Sequence, residues 1–115
     1  MLRGEIRIVD LDPARAGEAN RRRPAVLVSN DGANTTAAKL GRGVVTVVPI
    51  TTNVDRVFPF QVLIPAHESG LERDSKAQAE QVRSVSVERV LDRIGIVPPD
   101  LMLEVDEALR LHLAL

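Results

Sequence analysis

Charged and apolar residues alternate as Glu-Ile-Arg-Ile-Val over residues 5–9, the two-residue period of a strand with one buried face. A second strand is expected at 24–29, where an apolar run starts at Pro24 and ends at Ser29. The stretch between them, 10–22, holds an Asp-Pro pair, an isolated Gly17 and no periodicity, and so reads as a long loop. Loops of that length in a small domain are commonly functional. Residues 31–40 predict a short helix capped by Asp31 or Asn34 and stopped by Gly41. Residues 44–50 are a β-branched run interrupted only by Pro49, which predicts a central strand delivering Thr51 and Thr52 to the surface. Further strands are expected at 60–64, at 75–83, where long polar residues alternate with small ones, and at 93–97, with one helical turn at 86–90. Pro98-Pro99 opens a helix running to the C-terminus, striped by Leu101, Val105, Ala108, Leu109 and His112 and broadened by Met102, Leu113 and Leu115. That surplus of leucine makes the helix a candidate dimer contact. Six or so short strands with a terminal helix argue for a mostly β fold, a small antiparallel barrel or half-barrel with helical additions.

A length of 115 residues suits one hydrophobic core, so residues 1–115 are read as a single domain. With no Trp or Tyr and only Phe58 and Phe60, that core is built from Val, Leu, Ile and Ala, and any platform for stacking bases is small. The absence of cysteine excludes disulfides, thiolate zinc sites and a Cys nucleophile, and fits a reducing compartment. No apolar run approaches membrane-spanning length, so a soluble, cytoplasmic protein without a membrane partner is expected. The net charge of −1 hides an asymmetry: eight Lys/Arg face five Asp/Glu up to Arg42, against seven and eleven from Val44 onward. A basic patch on a neutral average suits a short stretch of phosphates better than a long duplex.

The basic excess surrounds Glu18, Arg21, Arg22 and Arg23, where a charged loop enters an apolar strand at an Arg-Pro pair. A strand needs no guanidinium at its mouth for stability, so an Arg fixed there is a candidate contact for an anionic ligand. His67 and His112 have no ligand or acid–base spacing, and no zinc, Walker or nucleophile-elbow motif is present. An enzyme built from these residues would use no metal or other cofactor. Phosphodiester transesterification by a 2′-hydroxyl needs a base, stabilisation of charge on phosphorus and protonation of the leaving oxygen. Arg can stabilise that charge, the hydroxyl of Thr51 or Thr52 can hydrogen-bond to it, and Glu18 is a more comfortable base than Arg.

Gly4-Glu5-Ile6, Val9-Asp10, Asp12-Pro13, Gly17-Glu18, Arg23-Pro24 with Val28-Ser29-Asn30, Pro49-Ile50-Thr51, Phe58-Pro59-Phe60 and Gln81-Val82-Arg83-Ser84 occur in one order over residues 4–97. In this pattern the chain resembles the MazF/PemK family of toxin endoribonucleases. The resemblance implies an SH3-like, CcdB/MazF-type barrel with a C-terminal helix, forming a homodimer. It implies a toxin that cuts single-stranded RNA to a 2′,3′-cyclic phosphate and a 5′-hydroxyl, held in check by a cognate antitoxin with an acidic or disordered C-terminal segment. The family's catalytic Arg falls on Arg23 and its catalytic Thr on Thr51, with Glu18 matching a loop carboxylate. Ser29, Asn30, Thr52, Asn53, Gln81 and Arg83 become candidates for lining the RNA groove, and Arg21 and Arg22 for contacting phosphate or antitoxin. Arg7 stands where relatives often carry Trp, and is expected to face solvent. Two alternatives remain open: a gyrase-poisoning binding protein like the related CcdB group, and a catalytically decayed interaction module.

Overall fold

The computed structural model describes residues 1–12 and 21–115, with Asp12 and Arg21 described by backbone only. Seven strands make its sheet: β1 (Glu5–Asp12), β2 (Arg21–Leu27), β3 (Val44–Thr51), β4 (Gln61–Ile64), β5 (Ser75–Gln78), β6 (Arg83–Ser86) and β7 (Val90–Ile96). Their spatial order is β4-β5-β3-β2-β1-β7, with β6 also on β3, and the ladders among the described residues are antiparallel. Three helices, α1 (Asp31–Leu40), α2 (Ala66–Ser69) and α3 (Pro99–Leu113), complete the mostly β architecture expected from the sequence.

Strand alternation divides the core in two. Ile6, Val26, Val48, Ile50 and Ile64 point to one face, where Leu101, Met102, Val105 and Ala108 of α3 cover them. Val9, Leu11, Ala25, Leu27, Val45 and Val47 point to the other, where Val85 and Ala37 of α1 join them. Strand β3 therefore contributes to both clusters, which is why its sequence is an almost unbroken β-branched run. Fully burying each such side chain contributes roughly 1.5–3 kcal/mol.

Several boundaries differ from expectation for identifiable reasons. The loop expected over 10–22 is cut at both ends, because β1 runs on to Asp12 and β2 already starts at Arg21. Backbone pairing continues there, Asp10 with Arg22 and Asp12 with Arg21 across a register shift, so a segment polar in sequence is nonetheless part of the ladder. The strand expected over 75–83 is two strands, β5 and β6, joined by a 3-10 turn at Ala79–Gln81. The last strand begins at Val90 rather than Arg93, after a 3-10 turn at Val87–Arg89. Helix α1 is capped by Asn30, whose Oδ1 accepts the Ala33 N–H at 2.8 Å, and not by Asp31 or Asn34; Asn34 is fully buried. Gly41 ends it in the left-handed conformation, as expected. Helix α2, which has no periodicity to announce it, packs so tightly on β7 that a Cβ on Gly95 would lie 2.5 Å from the Ser69 carbonyl oxygen.

Arg7 is not a solvent-facing strand residue. Its Nε donates to Glu5 Oε1 at 2.9 Å and its Nη1 to the Leu91 carbonyl at 2.9 Å, tying β1 to β7. Burial raises the Glu5 pKa, but the hydrogen bonds from Arg7 and the Leu2 N–H, with the charges of Arg7 and the N-terminus, outweigh it and hold the carboxyl below its ordinary value. A depressed carboxylate pKa contributes stability above the unfolded value of 4.5 and loses it as pH falls through the folded value. Denaturant unfolding should therefore show a loss of stability below about pH 4.5 that Glu5→Gln diminishes; an unchanged pH dependence would contradict the assignment. Arg7→Met at neutral pH should cost about 3 kcal/mol by stranding the buried carboxylate, and a loss within experimental error would show the pair to be inert.

Candidate active site

Strands β2 and β3 pair as Leu27↔Val47, Val26↔Val48 and Ala25↔Pro49. Two residues beyond the last pair, in opposite directions along the two strands, stand Arg23 and Thr51. Both therefore leave the sheet at the same end and on the face of Ala25, Val47 and Leu27, just past the edge of that core cluster. Arg23 is opposite Val9 in β1, and its side chain is exposed. Pro24 fixes the chain behind it, since proline has a locked φ and no N–H to donate. Thr51 is half-buried, and its Oγ1 accepts the Asn53 N–H at 3.3 Å. A hydroxyl that accepts in this way keeps its own proton for an incoming oxygen.

Pro49 shapes the other flank. Along β3 the neighbour is β6 from Val44 to Val47 and β5 at Ile50 and Thr51, and the 3-10 turn Ala79–Gln81 spans the gap between them. Gln81 ends that turn and Arg83, in register with Val47, opens β6 on the same face as Arg23 and Thr51. Both are exposed. Arg23, Thr51 and Arg83 thus share one face of the sheet, and Gln81 lies in the turn that leads into Arg83.

The others are placed differently. Thr52 is exposed beside Thr51 and lines a cleft of about 440 Å³ with Pro24, Leu71, Arg73, Ser75 and Ile94; this cleft lies on the side of β2 away from Arg23. Asn53 accepts the Asp55 N–H at 3.4 Å and so shapes the turn after β3. Ser29 and Asn30 are committed to the fold. The Ser29 hydroxyl donates to Asn34 Oδ1 and accepts the Thr46 N–H at 3.0 Å, while Asn30 caps α1. Arg22 is exposed opposite Asp10, on the face away from Arg23; Arg21 heads β2, and Glu18 lies outside the described residues. His67 and His112 are exposed, on α2 and α3.

One neighbour escaped the sequence reading. Lys76 is in register with Thr51 across β3 and β5 and is only 7% exposed, and its Nζ donates to the Arg56 carbonyl at 2.6 Å. The signal available in the sequence was a single lysine among the small and polar residues of 75–79, which alternation alone assigns to a wet face.

The model of a family described as PemK-like, MazF-like toxins of type II toxin–antitoxin systems matches residues 2–113. The chain is 61% identical to endoribonuclease MazF9 of Mycobacterium tuberculosis over all of its own length and 98% of that protein's. It is 33% identical to endoribonuclease EndoA of Bacillus subtilis, covering 98% of this chain and 94% of the other. Among solved structures it superimposes on a mycobacterial endoribonuclease in complex with its cognate antitoxin with a TM-score of 0.77 at 26% identity, over 100% of this chain and 96% of that one. The chain belongs to the PemK-like, MazF-like toxins of type II toxin–antitoxin systems.

Proposed function

We propose that the protein is an endoribonuclease toxin that cuts single-stranded RNA by 2′-hydroxyl transesterification, without a metal ion or other cofactor. The observation that supports this reading is the β2–β3 register, beyond whose last pair, Ala25↔Pro49, Arg23 and Thr51 each follow by two residues on the same face, in a chain 61% identical to a protein named an endoribonuclease. The 2′-oxygen attacks phosphorus, the bond to the 5′-oxygen breaks, and the products are a 2′,3′-cyclic phosphate and a 5′-hydroxyl. Arg23 carries a permanent positive charge and a fork of donors, so it stabilises the charge that builds on the non-bridging oxygens. The Thr51 hydroxyl donates a further hydrogen bond to the same phosphate. Glu18 takes the 2′-proton, as its basicity makes it better suited than arginine, and the departing 5′-oxygen takes a proton from solvent water.

Gln81 and Arg83 line the groove around that phosphate in this reading, while Thr52, Asn53, Arg21 and Arg22 are left to contacts with RNA outside it. Ser29 and Asn30 are left out of it, because their side chains hold α1 and β3 in place. The protein works in the cytoplasm, where its RNA substrate and an antitoxin with an acidic or disordered tail would meet it. Helix α3 supports a homodimer: beside the leucines buried on the sheet, Leu103 and Leu111 remain 67% and 58% exposed.

Purified protein in EDTA should cut a long single-stranded RNA into discrete fragments. Arg23→Ala and Thr51→Ala should each slow single-turnover cleavage by at least about a hundredfold, with Thr51→Ser retaining much of the rate. A requirement for divalent metal, or cleavage that survives both alanine substitutions, would refute the mechanism. Light scattering should give twice the 12.5 kDa chain mass, and Leu103→Glu with Leu111→Glu should halve it; a monomeric wild type would remove the dimer.

A further inference from the structure

Residues 52–60 leave β3 directly after Thr51 and fold back over Lys76. Within them the Phe58 and Phe60 rings stack in parallel, centroids 5.3 Å apart and planes 3° apart, and the Arg56 guanidinium lies 4.9 Å from the Phe58 centroid. These are the chain's only two aromatic residues, and both lie on this one loop. Phe58 is 38% exposed, Arg56 is exposed, and Arg56 makes no ion pair with any described residue. Phe60 is half-buried, so the surface left open on this loop is that of Phe58 and of the Arg56 guanidinium beside it.

Lys76 supplies a second, independent observation. Its ammonium is buried against the loop, with its Nζ 6.0 Å from the Phe58 centroid, and among the described residues it has no carboxylate partner and one hydrogen bond, to the Arg56 carbonyl. Burying an ammonium without a counter-charge is costly unless something else stabilises it. Gln61 fixes the other end of the loop: its Oε1 accepts the Phe58 N–H at 3.1 Å while its Nε2 donates to Glu80 Oε2 at 2.7 Å. The shelf is therefore held at both ends, beside Thr51 by the Thr51↔Lys76 register and beside Gln81 through Glu80.

We propose that Arg56, Phe58 and Phe60 form a nucleobase-binding shelf, pinned by Lys76, that stacks one unpaired base of the RNA next to the phosphate held by Arg23 and Thr51. This rests on the endoribonuclease reading and deepens it by assigning a subsite. A planar guanidinium over an aromatic ring is a stacking surface for any base, and single-stranded RNA offers bases free to leave their own stack. The uncompensated charges of Arg56 and Lys76 draw the flanking phosphates to the same place, completing the electrostatic balance that the free protein lacks. Arg56 and Phe58 are binding residues in this account, and Lys76 is a positioning residue acting through the loop.

The test uses the full chain carrying Thr51→Ala, which suppresses cleavage, and a fluorescein-labelled single-stranded RNA of mixed sequence, with binding followed by anisotropy. Adding Arg56→Ala or Phe58→Leu should weaken binding about tenfold, from the loss of one stacked base. Replacing each base in turn by an abasic site should reveal one position whose loss weakens the Thr51→Ala parent by that factor but leaves the Arg56→Ala double variant unaffected. With Thr51 restored, Arg56→Ala should raise KM and leave kcat within about threefold, and Lys76→Arg should restore the KM that Lys76→Met raises. Arg56 is an exposed side chain, so its variant remains informative if Phe58→Leu fails to fold. Equal affinities for the parent and Arg56→Ala, or no abasic position that the variant tolerates better, would overturn the shelf. A wild-type protein that leaves RNA intact would instead overturn the endoribonuclease reading, and the binding arms would still decide the shelf.

Discussion

Strand β3 is paired along both edges and buried on both faces, and the placement of Arg23 and Thr51 follows from that constraint. A doubly buried strand cannot slip by one residue without sending Val45 and Val47 to the face that Val48 and Ile50 now occupy. Its register with β2 is therefore fixed by packing along Leu27–Val47 and Val26–Val48, remote from any chemistry. That fixed register puts Arg23 and Thr51 on the same face, each two residues beyond the last pair of the ladder. Pro49 adds the second consequence. β3 changes partners beside it, and the 3-10 turn that bridges the change brings Gln81 and Arg83 alongside.

Charge is distributed in two ways. At the far edge of the sheet, cations are satisfied internally: Arg7 by Glu5 and the Leu91 carbonyl, and Arg3 by Asp106 of α3 and the Val28 carbonyl. These pairs fasten the N-terminal strand to β7 and α3. Around Thr51 the pattern reverses, since Arg56 and Lys76 have no carboxylate partner among the described residues. A phosphodiester chain is the ligand that would supply the missing negative charge at that end.

The strands with a clear two-residue period, or with a β-branched run, were legible in the sequence, and so were the terminal helix and the Gly41 stop of α1. So was the family resemblance, since the chain does belong to that family. What was not legible depended on partners distant in sequence. The split of 75–83 into two strands turns on Pro49 some thirty residues earlier, and the extension of β1 and β2 turns on their pairing with each other across the intervening segment. Ser29 and Asn30 became groove candidates by family matching, and the sequence did not show that one bonds the buried Asn34 and the other caps α1. Lys76 and Arg56 escaped notice for the same reason: only the fold sets one beside Thr51 and the other over Phe58.

The central claim is that this end of the sheet activates a ribose hydroxyl within the RNA rather than a water molecule. Mass spectrometry of the fragment termini formed in EDTA tests it most directly. Transesterification leaves a 2′,3′-cyclic phosphate on one side of each cut and a 5′-hydroxyl on the other, and these are the expected termini. Fragments bearing a 5′-phosphate would mean that water was the nucleophile and would contradict it.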